Sequence, residues 1–280
     1  MKSVFKKLIN FFFKKIFNNR FGLRIYDLTK LESQKFIRLI KHNEIEIKFS
    51  TPSYKTFLRA KTFTKKEPET IDWINSFEEN SIFWDIGANI GMFSLYAAIK
   101  KNANVFSFEP SVFNLETLTK NIQINNLSDQ ITLIPNPISD KSGPNMMKYS
   151  NLEVGGALSV FKENFGYDGL PIDYCYKYSV TGITLDEAHE TLSIPLPKYI
   201  KIDVDGLEHL ILKGSKKVLQ NIESILIETN KNFLSQYEEI TRILKENKFT
   251  LRYSALRDDL IINSNNQGFS KVHNQIWEKL

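Results

Sequence analysis

Apolar residues recur along this chain in short runs separated by segments of helical spacing, and from about residue 82 the alternation becomes regular. Residues 82–85, 105–108 and 131–135 read as strands, with helices predicted over 91–100 and 114–125 between them. After a long irregular stretch the rhythm resumes with strands at 199–203 and 224–228 and helices around 207–213 and 233–246. Apolar strands alternating with helices predict an α/β fold, a mostly parallel sheet with helices on both faces. Upstream, 45–49 and 56–60 read as a strand pair, and 68–77 as a helix with Pro68 in its first turn. The pattern thus predicts one α/β domain over about 40–262 and a C-terminal tail, 263–280, that contains His273 and Trp277.

The first 30 residues form a separate arm with a different pattern. At 100° per residue, Val4, Phe5, Leu8, Ile9, Phe12 and Ile16 gather on one side of a helix; Lys2, Lys6, Lys7, Asn10 and Lys14 gather on the other, and Lys15 breaks the division. Such a basic amphipathic helix suits the interface of an anionic membrane, and it equally suits docking on its own domain. Lysines interrupt its apolar run and no small-residue cleavage site follows, so it does not read as a secretory signal.

Charge sharpens this division. The 280 residues carry a formal net charge of +5. Residues 1–24 hold seven Lys or Arg and no acid, so the remainder of the chain sums to −2. A body of that charge offers no field for a phosphate backbone, and a nucleic-acid partner is not expected. The single cysteine, Cys175, allows no internal disulfide, which points to a reducing, cytoplasmic setting, with peripheral membrane contact through residues 1–24 as the open addition. No apolar run approaches the roughly 20 residues that span a bilayer.

The candidate chemistry centres on Asp85-Ile86-Gly87-Ala88-Asn89-Ile90-Gly91, followed by Glu109 at the end of the next strand. A strand that ends in a glycine turn and opens into a helix brings backbone close to a ligand at the carboxyl edge of an α/β sheet. A dinucleotide site would want a glycine where Asn89 stands. Asp85 would repel pyrophosphate but suits a cationic ligand such as the ammonium and sulfonium of S-adenosylmethionine, and Glu109 is spaced to accept both ribose hydroxyls. Asp203, Asp205 and Glu208 form a carboxylate group beyond a later strand. A carboxylate there can take a proton from an acceptor hydroxyl, with Asp203 the first candidate and His209 the second. Asp203 and Asp205 also match a D-x-D pair that holds a divalent metal in glycosyltransferases, which is the principal alternative. The others are a nicotinamide oxidoreductase, against which Asn89 argues, and a catalytically silent binding or scaffolding protein, against which only the density of polar groups near one sheet edge argues.

Asn136-Pro137-Ile138-Ser139 resembles the motif of base methyltransferases only superficially, since the second proline and the aromatic are missing. The long segment 139–181 carries Gly155, Gly156, Tyr167, Gly169, Tyr174, Tyr176 and Tyr178 and reads as a substrate-facing insertion, its aromatic faces suited to sugar rings.

Asp85 to Gly91, Phe108-Glu109-Pro110, Gly155-Gly156-Ala157, Thr184-Leu185-Asp186 and the run from Ile200 to Glu208 resemble, in order and spacing, the FkbM family of methyltransferases over about residues 64–232. The resemblance implies a class I methyltransferase-like, Rossmann-like fold that uses S-adenosylmethionine to methylate an oxygen of a sugar or other small natural product. It implies cofactor contacts from Asp85, Gly87, Asn89, Gly91 and Glu109. Gly155, Gly156, Asp205 and Glu208 are expected toward a small-molecule or glycan acceptor, and no resident metal is expected. Asp205 stands where many members have Glu, a shorter reach.

Overall fold

The computed structural model describes residues 7, 11–12, 15–17, 19–33, 35–256 and 272–279. Of the arm's two predicted faces, Lys2, Val4, Phe5, Lys6, Leu8, Ile9, Asn10 and Lys14 lie outside the described residues.

The central element is a seven-stranded sheet. Strand β3 (Ile82–Ile86) sits in its middle, with β4 (Asn104–Phe108) and β5 (Ile131–Ile134) on one side. On the other side come β9 (Tyr199–Ile202), β10 (Ser224–Asn230), β12 (Val272–Lys279) and the edge strand β11 (Phe249–Leu256). Strands β5, β4, β3, β9 and β10 are parallel, while β12 runs antiparallel to both of its neighbours. Successive side chains point to opposite faces and build two cores: Phe83 and Leu226 belong to one, Trp84, Ile225 and Ile227 to the other. Because both faces are covered, the parallel strands read as continuous apolar runs, which is why the sequence reveals them.

Three segments depart from the sequence expectations. Residues 56–60 lie inside the helix Tyr54–Lys66 and form no strand: Ser53 and Thr56 make a reciprocal capping box, and Thr56, Ala60 and Phe63 fall on one buried face. The partner of β2 (Ile45–Ser50) is instead β1 (Ile37–His42), in antiparallel register. The supposed tail supplies β12, inserted between β10 and β11 with Trp277 buried. Its signal is hidden because buried positions hold polar residues with internal partners: Asn274 donates to Glu67 and Glu69, and Gln275 accepts from Trp277 Nε1. The stretch 139–181 contains β6 (Gly143–Tyr149), β7 (Ser159–Phe161) and the start of β8 (Tyr176–Gly182), a small antiparallel sheet in the order β7-β6-β8.

Candidate active site

The loop after β3 is shaped by backbone that only small or flexible residues adopt. Gly87 (φ 86°), Asn89 (φ 53°) and Gly91 (φ 83°) all have positive φ. Gly87 and Ala88 donate their N–H groups to Phe108 O at 2.9 and 3.1 Å. A Cβ on Gly87 would stand 2.0 Å from the carbonyl oxygen of Asp203, so the close approach of the β3 and β9 ends requires glycine there. Gly91 serves a different contact: a Cβ would meet Leu118 Cδ1 at 2.4 Å, in the packing of helix Met92–Lys101 against helix Val112–Ile124.

Two clefts open beside this loop, about 570 and 970 Å³ counting their open mouths. The first has walls of Phe108, Pro110, Pro137, Ile138 and Phe161, with Glu109 among them. The second is lined by Arg59, Lys66, Glu67, Lys201 and Glu228, with Tyr167 on its wall. Gly87, Asn89, Ala157, Asp203 and Asp205 line both clefts, so the two meet at the ends of β3 and β9.

Glu109 is buried on the first cleft. Its Oε2 accepts from Asn89 N at 2.7 Å and its Oε1 from Ser111 N at 2.8 Å. Burial pushes its carboxyl up to about 7, against the opposing pull of those two N–H donors. Asn89 Nδ2 donates to Gly156 O at 2.7 Å, while its Oδ1 is buried without a hydrogen-bond partner. Gly155 N donates to Asn114 Oδ1 at 2.9 Å and Gly155 O accepts from Arg59 Nε at 2.7 Å. Gly156 therefore clasps the loop after β3 and lines the first cleft, whereas Gly155 is tied to the helices carrying Asn114 and Arg59 and lines neither cleft.

Asp85 lines neither cleft. Its Oδ2 accepts from Ser94 Oγ at 2.6 Å, Ser107 Oγ donates to Ser94 Oγ at 2.8 Å, and Oδ1 is buried without a hydrogen-bond partner. Across the sheet Asp85 is in register with Lys201 of β9. Lys201 is 2% exposed, and its Nζ donates to Asp203 Oδ2 at 2.7 Å. Burial alone would push Lys201 down, but Asp203, Glu67 and Asp85 hold it above the ordinary lysine value. Burial raises Asp85, with Lys201 and the Ser94 hydroxyl opposing. The expectation that Asp85 meets the ligand directly is thus corrected: the structure places its carboxylate off both clefts, hydrogen-bonded to Ser94 and in register with Lys201. Gly91 is corrected likewise, from a cofactor contact to a helix contact.

The later carboxylates separate. Asp203 reaches both clefts. Asp205 (φ 58°) also lines both, and its Oδ2 accepts from Leu158 N at 2.7 Å. Glu208 is fully buried and turned away from the clefts: Oε1 accepts from Val204 N and Gly206 N at 3.0 and 3.2 Å, and Oε2 from Gln236 Nε2 at 2.6 Å. It braces the 203–208 turn rather than facing an acceptor, and burial raises its carboxyl to about 7. His209 lies between Phe165 and Phe233, ring centroids 6.3 and 5.8 Å away, with Nδ1 buried without a hydrogen-bond partner; burial lowers it to about 4. Neither cleft includes it, so the expectation of a base at His209 is corrected. Among the described residues no group of three or more His, Cys, Asp or Glu is arranged to hold a metal ion. Lys201, Arg59 and Asn114 are the residues the sequence reading passed over. The signal for Lys201 was a charged residue inside the run Tyr199–Ile202, whose neighbours are all apolar.

A mostly parallel sheet whose middle strand ends in a glycine turn, with an acid ending the next strand, defines an α/β enzyme that binds a nucleoside cofactor at its carboxyl edge. Residues 85–251 match the family described as Methyltransferase FkbM domain, and the chain belongs to that family. It is a methyltransferase of the class I fold, and its methyl donor is S-adenosylmethionine. The chain is 29% identical over 186 residues to hexuronic acid methyltransferase AglP of Haloferax volcanii, covering 65% of this chain and 69% of that protein. Among solved structures it is similar to methyltransferase FkbM from Methylobacillus flagellatus, with 18% identity, TM-score 0.45, and coverage of 72% of this chain and 44% of that one. It is also similar to precorrin-6y C5,15-methyltransferase from Geobacter metallireducens, with 12% identity, TM-score 0.45, and coverage of 76% and 87%.

Proposed function

We infer that the chain O-methylates a hydroxyl of a saccharide or glycan precursor, with Gly87, Asn89 and Glu109 holding the donor and Asp203 receiving the acceptor's proton. The observation that carries this reading is the position of Asp203 on the wall common to the two clefts. The residues present fit the donor. The Glu109 carboxylate takes N–H donors from Asn89 and Ser111 and a side-chain hydrogen bond from Asn114, which leaves acceptor capacity for a ribose hydroxyl, and the buried Oδ1 of Asn89 lacks a partner beside it. S-adenosylmethionine, when bound, supplies an electrophilic methyl on a sulfonium centre. Asp85, Glu67 and Asp203 outnumber Lys201 in their shared cluster, which favours a cationic ligand nearby.

Bound beside Gly87, Asn89 and Glu109, the donor would supply its methyl to the acceptor oxygen and keep the electron pair of the broken sulfur–carbon bond. The acceptor proton goes to Asp203. Lys201 fixes one oxygen of that carboxylate and with it the plane of the group. A sugar hydroxyl is a weak acid, so proton loss must accompany methyl movement, and orientation counts for more than equilibrium basicity. Support for a saccharide comes from the likeness to AglP, whose name specifies a hexuronic acid. The rival glycosyltransferase and oxidoreductase readings have no support from the family. Asp203→Asn is expected to slow turnover by about 10²-fold or more while S-adenosylhomocysteine affinity changes little. Full activity in that variant would remove Asp203 from the reaction.

The same reading includes peripheral contact of the basic arm with an anionic membrane from the cytoplasmic side, and no nucleic-acid partner. Phe11, Phe12, Ile16 and Phe21 are exposed, and the sequence of residues 1–24 holds seven cations and no acid, a combination that suits lipid headgroups. No helix among the described residues is long and apolar enough to cross a membrane. Flotation with vesicles of anionic lipid is expected, weakened by salt and by deletion of residues 1–24; flotation unaffected by either would contradict it.

A further inference from the structure

A third cavity, about 700 Å³ counting its mouth, lies in the insertion and touches the reacting centre. Its wall includes Tyr167, Asp168, Leu170, Pro171 and Asp173, and it shares Leu158, Tyr167 and Asp205 with the second cleft. A molecule seated in the second cleft can therefore continue past these three residues into the third cavity.

The rim is anchored. A Cβ on Gly206 would stand 2.6 Å from Gly166 O and 2.8 Å from Tyr167 Cα, and one on Gly169 would meet the Phe233 ring at 2.7 Å, so the rim is pressed directly onto the turn after β9 and the start of helix Leu234–Glu246. Asn230 Nδ2 donates to Tyr167 O at 3.0 Å, and within the rim Gly166 N donates to Leu170 O and Leu170 N to Asp168 Oδ1, both at 3.0 Å. At the junction, Leu158 is held at φ 63°, a conformation a leucine rarely adopts, and its N–H is the donor to Asp205 at 2.7 Å. Preformed walls of this kind bind without ordering a loop first. Their chemistry is that of a sugar site: a tyrosine ring and a proline for a pyranose face, and carboxylate acceptors for hydroxyl donors.

We propose that this cavity is a second acceptor subsite, so that the substrate is an oligosaccharide whose methylated unit occupies the second cleft while its neighbouring unit occupies the third cavity. The proposal rests on the saccharide reading above and adds chain length to it. The contacts of the neighbouring unit increase the binding available to the transition state.

The test follows methyl transfer from labelled S-adenosylmethionine to methyl glucuronide and to glucuronic-acid-terminated di- and trisaccharides, with S-adenosylhomocysteine binding measured alongside. The disaccharide is expected to exceed the monosaccharide in kcat/KM by about tenfold or more, with little added by the third unit. Leu170→Trp changes an exposed rim residue and narrows the cavity, and Asp173→Ala removes an exposed acceptor. In both, the preference for the disaccharide is expected to fall toward one. Equal kcat/KM for mono- and disaccharide in the native protein would overturn the subsite and leave the saccharide reading standing. A preference that survives both substitutions would also overturn it. If S-adenosylhomocysteine binds but no saccharide is methylated, the saccharide reading falls and the subsite with it.

Discussion

Asp85 and Lys201 face one another across the β3–β9 pairing, and Lys201 in turn donates to Asp203 at 2.7 Å. Two residues of opposite charge, each almost wholly buried, thus connect the floor of the donor loop to the carboxylate between the clefts. The arrangement explains why a strand buried on both faces carries a lysine at its centre. Without the ammonium, the buried carboxylates of Asp85 and Glu67 and the cleft-lining carboxylate of Asp203 would lie together with no cation between them.

Lys201→Met is accordingly expected to lower folding stability by about 3–5 kcal/mol, the range for removing one partner of a buried ion pair. Adding Asp85→Asn should recover part of that loss by removing a charge left unpaired. Denaturant titration of the single and double variants checks both points, and a loss below about 1 kcal/mol in Lys201→Met would separate the lysine from the cluster.

Glu109 gives donor binding a pH dependence. With its carboxyl raised to about 7 by burial, the group is mostly protonated below that pH, and ribose hydroxyls donate more strongly to the ionised form. S-adenosylhomocysteine affinity is therefore expected to rise as pH increases through 7. Glu109→Gln should weaken binding by about tenfold and flatten this rise, because one charge-assisted hydrogen bond contributes roughly 1.5–3 kcal/mol. Calorimetric titration at several pH values is the check; the same slope in the variant would assign the pH dependence to another group.

The two glycines of the donor loop are predicted to fail differently. Gly87→Ala forces a Cβ against Asp203 O and should abolish S-adenosylhomocysteine binding by opening the β3 and β9 ends. Gly91→Ala pushes against Leu118 and should cost about 1–3 kcal/mol of stability, the range for overpacking, with affinity nearly retained in the folded protein. Equal loss of binding in both would return Gly91 to the ligand.

Much of this was legible in the sequence because the parallel strands are apolar throughout and the cofactor loop has a distinctive spacing. The strands β3, β4, β5, β9 and β10 fall where the pattern predicts them. Strand β12 was hidden because its buried positions include Asn274 and Gln275, held by hydrogen bonds of Asn274 Nδ2 to Glu67 and Glu69 and of Trp277 Nε1 to Gln275 Oε1, which a hydropathy pattern does not register. Within the site, spacing identified Asp203 and Glu109 on the clefts. It did not separate Glu208 from Asp205, because a turn of a few residues sends one carboxylate inward to Val204 and Gly206 N–H groups and the other outward. Side-chain direction at a strand end depends on the local φ, and Asp205 sits at 58°.

His209 is the clearest case of a reactive residue type in an inert setting. His209→Phe keeps the aromatic packing with Phe165 and Phe233 and is expected to leave turnover nearly unchanged. Burial depresses the folded-state value to about 4 from the ordinary 6.5, so the unfolded chain binds the proton more tightly. The stability associated with neutral His209 is present above pH 6.5 and is lost as pH falls toward 4. Thermal unfolding between pH 7 and 4 should therefore show a shallower acid-side loss in the variant, and an unchanged loss would contradict the burial of this ring.

The most direct test of hydroxyl methylation is the NMR spectrum of the product formed from an acidic saccharide and S-adenosylmethionine carrying a carbon-13 methyl group. Proton removal by Asp203 predicts a methyl ether, seen as a long-range correlation from the labelled methyl protons to a sugar-ring carbon. A correlation to the carboxyl carbon would identify a methyl ester, whose formation requires no proton abstraction, and would contradict the role assigned to Asp203.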